Sequence, residues 1–207
     1  AAMLRARGHA VWGVDLQLDY GTVEPLWYAA QCPLIEGNQV IIAPCGTDVL
    51  MMALDCATGE VLWSTPNPNE WDMSHSSIIP MTVLGKKMYV YAALGGIVGV
   101  SAEATDVRKV LWEVPWIAKV VAPSPVPAGE GRILITAGYG SGNMMLEISE
   151  ENGVYSVDVP YAFAPGEGLS CEQQTPIYSD GLLYGIMPKD AGSLKGQFVA
   201  YKPDGSL

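Results

Sequence analysis

Apolar residues come in short runs along this chain, cut by glycine and by pairs of polar residues. Four stretches share one order: a polar residue, an apolar stretch with proline near its start, a polar turn, then a run rich in Val, Ile, Leu and Tyr. They are CPLIEGNQVIIAP (32–44), SPVPAGEGRILITAG (124–138), TPIYSDGLLYGIMP (175–188) and, more loosely, SIIPMTVLGKKMYVYAA (77–93). Turn residues at that spacing predict a β hairpin in each, the first centred on Gly37 and Asn38. Apolar spacing of three and four residues is sustained nowhere over a useful window, so the chain reads as all-β.

A second motif lies between the hairpins. ALDCATGEVLW (53–63) recurs as VSAEATDVRKVLW (100–112) and is preceded by MLRARGHAVW (3–12), so that Trp12, Trp63 and Trp112 return about every 50 residues. A degenerate copy, LEISEENGVY (146–155), puts Tyr155 where tryptophan is expected. Each repeat thus holds an inner hairpin, a third strand carrying Leu54 or its counterpart, and a fourth carrying the tryptophan. Four short antiparallel strands in 40–50 residues make a propeller blade. Gly59 permits the tight turn, and Trp63 is a large hydrophobe able to fill the gap between neighbouring blades. One blade cannot bury its faces alone, and repetition makes the core.

The Ala-Leu-Asp-x-x-Thr-Gly-x-x-x-Trp pattern at 53–63 resembles the blade motif of the pyrroloquinoline-quinone-like (PQQ-like) β-propeller superfamily. The family contains quinoprotein alcohol dehydrogenases and many extracytoplasmic repeat proteins, so the resemblance implies a bacterial periplasmic or secreted protein and a fold more than a function. It also implies a larger ring, commonly of about eight blades. Residues 1–207 then form one propeller domain: a fourth strand at 9–16, blades at about 31–65, 76–114 and 123–158, and three strands at 174–201. Strand 9–16 is placed to pair beside Phe198 to Lys202 and close a four-bladed ring. The alternatives are a homodimer of two half-rings and a fragment of a longer chain; the family's size favours the half-ring or the fragment.

Charge narrows the partners. With 22 acidic and 11 basic residues, the net charge of −11 repels nucleic acid and anionic lipid. The longest weakly polar run, 88–102, is broken by Gly95, Gly96 and Gly99 and is too short to span a bilayer, so no membrane insertion is expected. Cys32, Cys45, Cys56 and Cys171 form no C-x-x-C pair, which argues against zinc, and the hairpin register sets Cys32 opposite about residue 43, out of step with Cys45. Four buried free thiols are expected.

In a propeller the residues just before each inner strand converge on one end of the axis. Those polar residues, Gln31, Ser74, His75, Ser76, Glu172, Gln173 and Gln174, are the candidate binding site. Neighbouring strand residues point to opposite faces, so Ser74, His75 and Ser76 do not make a nucleophile and base. The family's quinoprotein enzymes hold the quinone between a tryptophan and a disulfide of adjacent cysteines, beside calcium. No two cysteines are adjacent here and no acidic cluster resembles a calcium loop. The expectation is a non-catalytic binding or scaffolding module with no cofactor and no metal, and the alternative is a PQQ-dependent alcohol or sugar dehydrogenase. Trp27, Trp71 and Trp116 lie outside the motif and read as packing between blades, with Trp71 or Trp116 as a platform for a planar ligand or glycan if exposed. The run Gly138-Tyr-Gly-Ser-Gly142 lacks the last glycine of a phosphate loop and reads as a connection between second and third strands.

Overall fold

The computed structural model describes Gly8, residues 11–106 and residues 108–207. Among the described residues fifteen strands form four antiparallel sheets in chain order. The first holds β1 (Leu34–Glu36), β2 (Gln39–Ile42), β3 (Val49–Asp55) and β4 (Val61–Pro66). The second holds β5 (Ile79–Val83), β6 (Lys86–Ala92), β7 (Gly95–Ser101) and β8 (Val110–Trp116). The third holds β9 (Val126–Pro127), β10 (Arg132–Ala137), β11 (Gly142–Glu151) and β12 (Val154–Phe163); the fourth has β13 (Ile177–Ser179), β14 (Leu182–Ile186) and β15 (Phe198–Tyr201). Every sheet is a meander of sequential neighbours, which makes each a propeller blade. Among the described residues no helix is long and apolar enough to cross a membrane.

The inner hairpins form where glycine and polar turns interrupt the apolar runs. Leu34 faces Ile41 across the Gly37-Asn38 turn, a register that sets Cys32 opposite residue 43. Leu84-Gly85, Asn152-Gly153 and Asp180-Gly181 carry positive φ at both positions, the backbone that a two-residue hairpin turn requires. Gly138 to Ser141 connect β10 to β11, the second and third strands of their blade.

Three cores lie between successive sheets. Trp63 packs in the first, with Ile41, Met51 and Tyr91; Trp112 in the second, with Val90, Ile97 and Ile133; Leu134, Leu183, Val199 and Tyr201 build the third. The motif tryptophans share one geometry. Trp63 lies across from Ala53 and Trp112 from Gly99, each just before a shift of register between third and fourth strands. In the third blade that place, opposite Met145 and before the Met145/Glu147 shift, belongs to Tyr161. Tyr161 packs against the third core while Tyr155 packs against the second, which corrects the assignment of Tyr155. The ten-residue strands β11 and β12 run past the usual turn, and this carries the motif aromatic six positions later, restoring the repeat spacing of about 50 residues.

The N-terminal strand is also corrected. Residues 11–15 form no strand, and Asp15 caps a short helix, α1 (Leu16–Tyr20), by accepting the amides of Gln17 and Leu18. Residues 9 and 10 of the expected strand lie outside the described residues. Trp12 docks on the first blade: its Nε1 donates to the Cys56 carbonyl at 2.9 Å, and its ring covers Gly59, where a Cβ would meet Trp12 Cδ2 at 2.6 Å. Among the described residues β15 therefore ends the fourth sheet with no strand paired on its outer side.

Candidate functional site

The inner strands are β1, β5, β9 and β13, and the residue that opens each hairpin stretch sits two positions before its strand. These are Cys32, Ser77, Ser124 and Thr175. The Cys32 amide donates to Ser77 Oγ at 3.0 Å, the Ser77 amide to Ser124 Oγ at 3.1 Å and the Ser124 amide to Thr175 Oγ1 at 2.9 Å. Each blade is thus tied to the next by one side chain, and three hydroxyls stand in a row along the inner edge.

Beside this row lies a cavity of about 370 Å³. Ser77, Ser124 and Thr175 line it with Gln173, and His75, Trp27, Tyr28 and Tyr139 supply its rings. Trp27 stacks over His75 at 6.0 Å between ring centroids and meets Tyr139 at 5.7 Å, while Tyr28 approaches His75 edge-on at 6.3 Å. Trp27 is 66% exposed and holds a φ of 77°, a conformation that bulky side chains rarely take. The His75 amide donates to the Val121 carbonyl at 3.0 Å, and its Nε2 is buried with no hydrogen-bond partner.

At the rim, Lys189 Nζ lies 4.7 Å above the Tyr139 ring and 2.9 Å from Glu172 Oε1. The hydrogen bond to Glu172 raises the Lys189 pKa, so the ammonium stays charged and its charge is matched. The same Glu172 side chain fills the space above Gly138, where a Cβ would sit 2.4 Å from Glu172 Cγ.

The seven predicted residues divide. His75 and Gln173 reach the cavity, with Glu172 next to it. Gln31 instead clamps the end of β2: its amide donates to the Ala43 carbonyl at 3.1 Å and accepts the Ala43 amide at 2.8 Å. Ser74 is fully buried, donating to the Ala92 carbonyl at 2.5 Å while its amide donates to Tyr91 Oη at 3.0 Å. Burial pushes the Tyr91 hydroxyl well above the ordinary tyrosine pKa, so it stays a neutral hub for these bonds. Ser76 is buried as well, its amide bonded to Ser74 Oγ at 3.1 Å, and Gln174 donates to the Ile186 carbonyl at 2.7 Å.

No known family model matches the chain, and no curated protein matches it. A search of solved structures finds, among others, the crystal structure of BamB from Moraxella catarrhalis, at 16% identity and a TM-score of 0.44 over 87% of this chain. The chain spans 48% of that protein's length. The architecture seen here is that of four propeller blades. Among the described residues no three His, Cys, Asp or Glu side chains gather as a metal site.

Trp71 is not a platform: it is 7% exposed and packs on the glycines of β7, where a Cβ on Gly96 would lie 2.2 Å from its Cζ2. Trp27, read as packing, is with Tyr28 an exposed ring of the cavity. Cysteine burial is mixed, with Cys45 and Cys171 buried, Cys56 half-buried and Cys32 exposed, all as free thiols. The hydroxyl row had a signal in the repeated Cys-Pro, Ser-Pro and Thr-Pro starts of the hairpins, but its bonds run between blades some 50 residues apart, which no local pattern carries. Tyr139 lay within the glycine run set aside as a connection, and Lys189 had no signal at all.

Proposed function

We propose that the chain is a non-catalytic PQQ-like propeller module, part of an extracytoplasmic bacterial protein, that binds a ligand in the cleft where its inner strands converge. One observation carries this reading: some polar side chains around the cleft serve the backbone alone, while His75, Gln173 and the Ser77, Ser124 and Thr175 hydroxyls face the cavity, each hydroxyl accepting one amide besides. Gln31, Ser74 and Gln174 are committed to carbonyls and amides, and the Ser76 hydroxyl donates to the Ser77 carbonyl. The cavity wall itself combines aromatic rings, hydroxyls, an imidazole and an amide with the small aliphatic side chains of Ala30, Val120 and Ala122, and among the described residues it includes no carboxylate. A concave, ring-lined surface with a few convergent polar groups is the usual form of a recognition site.

The residues do not fit a quinone held beside calcium. Calcium needs several oxygen ligands, usually with carboxylates among them, and the carboxylate next to the cavity, Glu172, is paired with Lys189. The module is expected to work without either.

The test adds PQQ and calcium together, with an artificial electron acceptor and a panel of alcohols and sugars. The expected result is no dye reduction above the protein-free control and no change in melting temperature. Turnover that depends on both additions and is lost on His75→Ala would overturn the reading. The binding half is tested by Trp27 fluorescence against neutral disaccharides, tripeptides and nucleosides. One class is expected to give a saturable change that is absent in Trp27→Phe, and silence across all three refutes a binding cleft.

A further inference from the structure

We infer that the ligand of this cleft is a neutral carbohydrate, its ring face laid on Trp27 and its hydroxyls bonded to His75, Gln173 and the Ser77, Ser124 and Thr175 row. This rests on the binding reading above and names its substrate class.

The ring comes first. A tryptophan in the left-handed region is costly, and such residues persist where the surrounding structure over-determines them, often at ligand clamps. Trp27 takes this conformation yet leaves 66% of itself exposed, so its indole is held at the mouth of the cavity without being consumed as core. It lies over His75 and beside Tyr139, an arrangement that presents a broad π face flanked by polar atoms. The apolar C–H face of a sugar ring suits such a surface.

The hydroxyl row supplies the complement. Each of Ser77, Ser124 and Thr175 accepts a backbone amide from the preceding blade, which occupies its oxygen as an acceptor and leaves its proton to donate elsewhere. All three side chains line the same cavity. His75 also lines the cavity, and its Nε2 is buried and unpartnered, a costly state for a polar atom unless a ligand supplies a partner. The Gln173 amide adds a donor and an acceptor. Polyhydroxylated rings present alternating donors and acceptors around their rim, and this wall offers both kinds along one edge.

Charge decides between neutral and anionic sugars. The nearby cation, Lys189, is matched by Glu172 at 2.9 Å, and the whole chain carries a net charge of −11. An acidic sugar would find the Lys189 charge already matched and would meet a repelling field. A volume of about 370 Å³ is at the lower end of ligand-sized pockets and suits a short oligosaccharide end rather than a long chain.

Isothermal titration with cellobiose, chitobiose and maltose, alongside a galacturonate disaccharide, a tripeptide and adenosine, tests the inference. At least one neutral disaccharide is expected to bind with saturation. Trp27→Ala is expected to weaken that binding about tenfold or more, with Trp27→Phe intermediate. Gln173→Ala changes an exposed position, so it keeps the fold and is expected to weaken binding severalfold, whereas Trp116→Phe leaves it unchanged. If the tripeptide or adenosine binds through Trp27 and no sugar does, the cleft is a binding site and the carbohydrate assignment falls. Preference for the galacturonate disaccharide over the neutral ones overturns the neutral assignment. If nothing binds, both the assignment and the binding reading fall.

Discussion

Single atoms decide how closely the blades and their connections pack. Trp71 lies flat on β7 because Gly95 and Gly96 leave room for it, and Asn67 holds it there by accepting its amide at 3.1 Å and donating to its carbonyl at 3.0 Å. Gly96 has an ordinary backbone conformation, so a methyl group there is opposed by sterics alone: it would meet Trp71 Cζ2 at 2.2 Å. Gly96→Ala is therefore expected to destabilise the chain by about 1–3 kcal/mol, read from urea unfolding. Trp71→Phe in the same chain should recover part of that loss, because the two residues contest one space; independent losses that simply add would refute the contact. The same principle of a small residue facing a large one recurs at Gly99 beneath Trp112.

At the scale of the element, the connection between β7 and β8 is held by charge. Lys86 Nζ sits 2.7 Å from Glu103 and 2.9 Å from Asp106, and Ser101 Oγ donates to Asp106 at 2.6 Å. The Ser101 hydroxyl first, and Lys86 second, hold the Asp106 carboxyl below its ordinary pKa of 3.8. The folded state thus favours the carboxylate, so this contribution to stability is present above 3.8 and is lost as the pH falls through the lowered folded value. Asp106→Asn is expected to lower the melting temperature at neutral pH, and the gap from the unmutated protein should narrow as the pH drops below the ordinary carboxylate range. A gap that stays constant down to strong acid would show that the loss is one of shape and not of charge. Between the first two blades, Glu36 bonds both Lys87 and Tyr89 of β6, and these two bonds hold its carboxyl below its ordinary value as well.

Across the whole molecule, the blades are joined at the inner edge by the hydroxyl row and farther out by three apolar cores. Removing one hydroxyl should loosen the inner edge without melting the sheets. Ser124→Ala leaves the Ser77 amide without its acceptor, a loss of about 1–3 kcal/mol for a part-buried donor. Hydrogen exchange is expected to quicken at the Ser77 amide while the amides of β10 and β11 keep their protection. Uniform loss of protection would mean that the row supports the whole fold. The same substitution removes one donor from the cleft, so the stability of the inner edge and the shape of the cavity are coupled through one side chain.

The short apolar runs, the glycine turns and the returning tryptophans were enough to define β strands, hairpins and blade order, because those features are local and each repeat states them again. The motif aromatic of the third blade was placed at Tyr155 because the sequence shows a motif's order but not how far a hairpin extends; the long β11–β12 pair moved that role to Tyr161. The N-terminal strand failed for a similar reason, since a residue pattern matching a fourth strand is not paired unless a neighbouring edge meets it. Position along the chain grouped His75, Glu172 and Gln173, and the structure sets His75 and Gln173 in one cavity wall with Glu172 bonded to Lys189. Position along the chain could not show which polar side chains would turn inward to satisfy buried amides and carbonyls, as Gln31 and Ser74 do. Nor could it show that Trp27, Tyr139 and Lys189, from three separate connections, would meet around them. Local pattern determines what each blade is. Only packing four of them side by side decides which side chains are spent on the fold and which remain free to bind.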